Sequence, residues 1–143
     1  MLYNYKGTKI EASSKEEAID KVIASTSDIV IVDTINAKNY KDYIGKKVNV
    51  RANVYLNDLN LKELPIIFNI VSGSFYCDDN YLVSLKNCPV KVGDNFSCSY
   101  NNLISLSECP KEVRGNFSCK NNNKKFTLDD VTNECNVSGK VIV

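Results

Sequence analysis

Apolar and polar positions along the chain follow two different rules, and the change falls near residue 47. From there on, the pattern recurs every 21 residues. Phe75, Phe96 and Phe117 fall in one column and Cys77, Cys98 and Cys119 in the next but one. Asn80, Asn101 and Asn122 share a column, as do Leu82 with Leu103, Leu85 with Leu106, and Cys88-Pro89 with Cys109-Pro110. Val71, Val92 and Val113 open successive units, and Val50, Val54, Leu56, Leu61 and Leu64 hold the apolar columns one period earlier. Val137 to Val143 repeats the opening of the unit after a longer spacing. Such self-similarity is the mark of stacked repeats, here about five units between Val48 and Val143.

The columns have a simple physical reading. Phe75 and Cys77, two apart, share one side of a short strand and Tyr76 faces the other. Asn80 stands where the chain must bend, a place its side chain favours by bonding nearby backbone groups and tolerating a left-handed conformation. Stacked in register, the three Asn form an inner ladder for loop amides that no sheet serves. Leu82 and Leu85 close the far wall, and Cys88-Pro89 turns the chain back outside the sheet. One coil cannot bury its own apolar face, so stability has to come from stacking.

The expected fold class is α+β: an N-terminal α/β capping unit over residues 1–46, then a solenoid over 47–143 with a mostly parallel sheet. Residues 1–46 lack the period. Leu2 to Tyr5 and Lys9 to Ala12 read as a hairpin around Lys6-Gly7-Thr8. Ser14-Lys15-Glu16-Glu17 is a capping-box signature, with Ala18, Ile19, Val22 and Ile23 on one helical face. Asp28 to Val32 reads as a buried strand, and Ala37 to Ile44 as a helix stopped by Gly45. At the other end Lys124 and Thr127 replace the two Leu. Thr127 followed by Asp129 and Asp130 predicts a helix over 128–134, then a final strand from Asn136 to Val143.

The unit, V-x-x-x-F-x-C-x-x-N-x-L-x-x-L-x-x-C-P, resembles the L-x-L-x-x-N-x-L core of leucine-rich repeats, with Phe and Cys in two of the Leu positions. It is similar to short leucine-rich-repeat-like proteins found mainly in bacteriophage genomes, over about two thirds of the chain. That resemblance implies a leucine-rich-repeat-like solenoid. For function it implies a host protein as partner, such as a defence-system component inhibited in the host cytoplasm.

Composition narrows the chemistry. With 18 Lys and Arg against 17 Asp and Glu, the net charge of +1 argues against nucleic acid, which needs a clustered basic excess. The absence of His excludes an imidazole base, an imidazole metal ligand and every Ser-His or Cys-His pair. A 43% apolar, 24% charged chain suits a folded globule. Met1 to Gly7 does not read as a secretory signal, and the apolar run Ile29 to Val32 is far short of the roughly 20 residues that span a bilayer. The expectation is a cytoplasmic protein, not membrane-bound, with six reduced thiols.

The cysteine columns place thiols in rows, whereas zinc wants four ligands around a point, and no C-x-x-C pair occurs. They read as small buried hydrophobes. Cys135 lies outside both columns and is the one thiol considered for reactivity. The Asp78-Asp79 pair is not repeated from unit to unit, and glycine-rich phosphate loops and nucleophile motifs are missing, so no enzyme, catalytic residue, cofactor or metal is expected. What remains is a contact surface, since repeat proteins act through their stacked strands. Its candidate residues are the outward positions Tyr55, Asn57, Tyr76, Asp78, Ser97, Ser99, Ser118 and Lys120, with Tyr100 near the strand end; Tyr offers large contact area at small entropic cost. The leading expectation is a non-enzymatic protein-protein interaction module. The alternatives are single-stranded nucleic acid stacked on Tyr55, Tyr76 and Tyr100, or a thiol enzyme or regulator centred on Cys135. Oligomeric state stays open.

Overall fold

A computed structural model of the chain describes the backbone of residues 2–5 and 8–11, and residues 28–143 with their side chains. It contains two compact units, Met1–Val30 and Ile31–Val143. In the first, β1 (Leu2–Tyr5) and β2 (Thr8–Glu11) form the expected antiparallel hairpin, with Leu2 opposite Glu11 and Tyr5 opposite Thr8. The helix expected from Ser14 onward lies outside the described residues.

The unit Ile31–Val143 is a parallel β-solenoid with two strands per coil. One sheet runs through the valine column. It comprises β4 (Lys47–Val50), β6 (Ile67–Val71), β8 (Lys91–Val92), β10 (Glu112–Val113) and β12 (Asn136–Val137), with β3 (Ile29–Val32) at its edge. The other runs through the phenylalanine column, in the order β5 (Val54–Tyr55), β7 (Phe75–Tyr76), β9 (Phe96–Ser97), β11 (Phe117–Ser118) and β13 (Val141–Ile142). The sequence pattern announced only the second sheet. In the valine column only the Val recurs; its strand neighbour changes from Ile70 to Lys91, Glu112 and Asn136, so no strand pattern repeats from coil to coil.

Register follows the columns: Phe75 pairs with Phe96 and Phe96 with Phe117, while Val71 pairs with Val92 and Val92 with Val113. The three Phe rings are fully buried and meet in sequence, with centroids 5.7 Å apart for Phe75–Phe96 and 4.9 Å for Phe96–Phe117. Phe68 closes this row by meeting Phe75 edge-on at 4.9 Å. The third side of each coil has no strand, yet it stays in step through single bonds. The amides of Tyr81, Asn102 and Lys124 donate to the carbonyls of Leu61, Leu82 and Leu103 at 2.8, 2.9 and 3.0 Å.

Two side-chain ladders hold the bends. The inner one is the expected Asn column. Asn101 Oδ1 accepts from the Leu82 amide at 3.0 Å, and its Nδ2 donates among the carbonyls of Cys77, Cys98 and Ser99 at 3.0, 3.2 and 3.2 Å. Asn80 and Asn122 repeat the arrangement one coil before and after. The second ladder lies at the corner between the sheets. Asn53, Ser74, Asn95 and Asn116 each accept, through a side-chain oxygen, from a backbone amide of the next coil at 2.8, 3.1, 2.9 and 2.8 Å. The corner is tight: a Cβ on Gly115 would sit 2.5 Å from Asn95 Oδ1.

Where Lys124 and Thr127 leave the Leu columns, buried Phe126 and Val131 fill the space. The helix α1 (Leu128–Thr132) carries a full capping box, the Asp130 amide donating to Thr127 Oγ1 at 3.2 Å and the Thr127 amide to Asp130 Oδ2 at 2.9 Å. It is shorter than the expected 128–134, and with it the described residues hold very little helix.

Three expectations need correction. The strand over Asn136 to Val143 is split, because the chain turns at Ser138-Gly139-Lys140 as every coil does and gives β12 to one sheet and β13 to the other. The helix over Ala37 to Ile44 is a single 3-10 turn, Tyr40–Tyr43, with no buried residue. There Asn36 and Asn39 bond local backbone amides and the Thr34 carbonyl, offering the chain an alternative to helix. Strand β3 is an edge with one covered residue, Val32, while Ile31 is 60% exposed. No helix among the described residues is long and apolar enough to cross a membrane.

Candidate interaction face

The outer face of the phenylalanine sheet brings the candidate residues together. In the Tyr55 column the coils present Tyr55, Tyr76, Ser97 and Ser118 in paired register. The Tyr55 and Tyr76 rings stack at 5.8 Å with 15° between planes, Tyr55 exposed and Tyr76 half-buried.

The neighbouring column, two residues further along, carries Asn57, Asp78, Ser99 and Lys120. Half-buried Asp78 is its hub. Its Oδ1 accepts from the Ser97 hydroxyl and from the Ser99 amide, the latter at 2.9 Å, and Asn57 Nδ2 reaches Oδ2 at 3.4 Å. Burial pushes the Asp78 carboxyl above its usual value. The bonds from Ser97 and Ser99 pull it down and the charge of Asp79 adds to the rise. Ser99 in turn shares a 2.7 Å hydroxyl bond with Ser118. Ser99 itself is only 3% exposed, so it ties the row together and offers no surface of its own.

At the strand ends Asp58, Asp79, Tyr100 and Asn121 have φ of 53, 55, 56 and 56°, a left-handed column forced by the bend into the Asn ladder. Asp and Asn accept this conformation readily, but a bulky ring does not. Tyr100 is 48% exposed, with Lys120 Nζ 5.9 Å from its ring centroid. Tyr100→Asn is expected to raise stability by about 1 kcal/mol, read as a higher urea midpoint at unchanged slope. A lower midpoint would mean that the ring's contacts outweigh the backbone cost.

All six cysteines are free and buried. Burial pushes Cys77, Cys88 and Cys98 well above the usual thiol value, Cys109 and Cys119 to about 12, and Cys135 to about 11. The rows affect one another: the charge of Cys77 or Cys109 would further raise Cys88, and that of Cys135 would raise Cys109. Cys135 is 4% exposed, an environment that keeps a thiol protonated and out of reach. No group of three or more acidic or thiol side chains among the described residues is placed to hold a metal ion.

Sequence reasoning did not single out Val83 and Ile104, 62% and 68% exposed at equivalent positions of the strandless side. Their signal was an apolar residue lodged between the Leu columns. The outer face of the valine sheet differs in kind: Glu112 lies 4.0 Å from Lys91 and 3.4 Å from Arg114, a solvated mixed-charge surface.

The chain is therefore a short repeat protein, a parallel β-solenoid with a period of about 21 residues and one aromatic-acidic face. No family model, curated protein or solved structure matches it.

Proposed function

We propose that the chain is a non-enzymatic protein-interaction module whose contact surface is the Tyr55–Asp78 face. The observation that carries this reading is the Tyr55–Tyr76 stack, partly exposed and set beside a row of side chains already bonded to one another. Anchors ordered before binding lose little entropy on contact, and Tyr is among the residues that most often dominate interface energies. The carboxylates of Asp58, Asp78 and Asp79 beside the rings oppose a phosphate backbone, which argues against single-stranded nucleic acid. The burial of Cys135 argues against the thiol reading. The likeness of the unit to phage leucine-rich-repeat-like proteins points to a host protein as partner and to inhibition as the outcome. That step rests on the repeat motif alone.

The test is a selection of binders from a yeast-displayed random peptide library against the whole chain. Enriched clones are expected to lose at least about tenfold in affinity for the Tyr55→Ser/Tyr76→Ser variant, the loss typical of removing interface anchors. Clones that bind wild type and variant equally would place the contact surface elsewhere.

A further inference from the structure

Tyr76 has two ring faces, and the stack covers only one of them. On the other side the paired residue of the next coil is Ser97, which leaves a low floor where a third ring would otherwise stand. Asp78 lies two residues along the same strand direction and leans over that floor, its Oδ1 held by the Ser97 hydroxyl and the Ser99 amide. Its Oδ2 has one long contact, 3.4 Å from Asn57 Nδ2. An aromatic wall and a carboxylate edge thus meet above Ser97.

We propose that this notch receives the guanidinium of an arginine presented by a protein partner, an inference that rests on the interface reading above. A guanidinium is planar, stacks on aromatic faces and donates N–H groups to a carboxylate, so one group lies on the Tyr76 ring and gives to Asp78 Oδ2, whose partner is the single long bond from Asn57. A lysine ammonium meets the carboxylate as a point charge and gains less from the ring. The surrounding field has the matching sign. Asp58 and Asp79 flank the strand end, and neither they nor Asp78 lie within ion-pair distance of a cation among the described residues. The basic residue on the same face, Lys120, stands two coils further on and sits over Tyr100. Burial already disfavours the ionised Asp78, and an arriving cation reverses that.

The notch is tested by following backbone amides in 15N-labelled protein by NMR during titration with Ac-Gly-Arg-Gly-NH2 and its lysine and citrulline counterparts. The arginine peptide is expected to shift Ser97 and Ser99 saturably, the lysine peptide to bind about fivefold more weakly, and the uncharged citrulline peptide to leave both amides in place. Asp78→Asn retains an acceptor for the Ser99 amide and is expected to weaken the arginine peptide about tenfold or more, the loss that follows from removing one charge of a close pair. Equal shifts from arginine and citrulline peptides, or wild-type titration of Asp78→Asn, would overturn the notch. The interface reading stands or falls separately, because the library selection depends on Tyr55 and Tyr76 and not on Asp78.

Discussion

Raised above about pH 9, the protein is expected to unfold cooperatively within about two pH units, taking up several hydroxide equivalents as it does so. The cause is the six buried thiols. In the unfolded chain each titrates near 9.0, whereas burial moves the folded values upward, to about 12 for Cys109 and Cys119 and about 11 for Cys135. Between those limits the unfolded chain has released protons that the folded chain still holds. Stability therefore is complete below the unfolded value and falls as pH rises toward the folded ones. Each thiol contributes a slope of about 1.4 kcal/mol per pH unit. Six acting together exhaust a typical stability of about 5–15 kcal/mol within about two units. Urea unfolding followed by far-UV circular dichroism from pH 8 upward, in steps, measures this slope. Cys98→Ala should lower it by about one proton, since one titrating group is gone. A stability that stays flat between about pH 9 and pH 11 would show the thiols to be open to water.

The second large effect is expected at the inner ladder. Asn101→Leu keeps the branched shape of the side chain and removes its polar atoms, leaving the Leu82 amide without an acceptor, while the carbonyls of Cys77, Cys98 and Ser99 lose one donor each and keep Asn80 Nδ2, Asn122 Nδ2 and the Asp79 amide. Asn101 is 5% exposed, so water does not replace them. At about 1–3 kcal/mol for a buried group left unsatisfied, the loss is expected to be about 3 kcal/mol. Asn122→Leu should cost roughly half as much. It makes the equivalent bonds in the last regular coil, where the side chain is half-buried and its contacts reach 3.5 Å. Chemical denaturation of the two variants side by side checks the ranking; equal losses would mean that the ladder is not what satisfies the bends.

Much of this architecture is legible in the chain because a 21-residue period repeats whole environments. Each Phe, Cys and Asn column lands in one place, and the alternation within Phe75-Tyr76-Cys77 correctly orients Tyr76 outward. The capping box of Thr127 and Asp130 is equally plain, since its chemistry is local. What escaped has physical causes of its own. The valine sheet escaped because the neighbours of its Val column, Ile70, Lys91, Glu112 and Asn136, share no character from coil to coil, and the corner ladder because Asn53, Ser74, Asn95 and Asn116 mix two residue types in one role. The helix over Ala37 to Ile44 failed because Asn36 and Asn39 drew the backbone into local bonds. In the contact face, strand positions gave the direction of Tyr55, Tyr76 and Asp78. Nothing in the spacing said that Asp78 would gather Ser97 and Ser99, that Ser99 would be covered, or that Tyr100 would stand in a left-handed bend. Those outcomes depend on which neighbour each side chain meets in the next coil.

Equivalent side chains meet across consecutive coils, and the Phe column reports this most directly. Ring-to-ring nuclear Overhauser effects, recorded on protein labelled at phenylalanine, should connect Phe75 with Phe96 and Phe96 with Phe117, whose centroids lie 5.7 and 4.9 Å apart, and should not connect Phe75 with Phe117. A direct Phe75–Phe117 effect, or silence between Phe96 and both of its neighbours, would contradict the stacked register and the contact face built upon it.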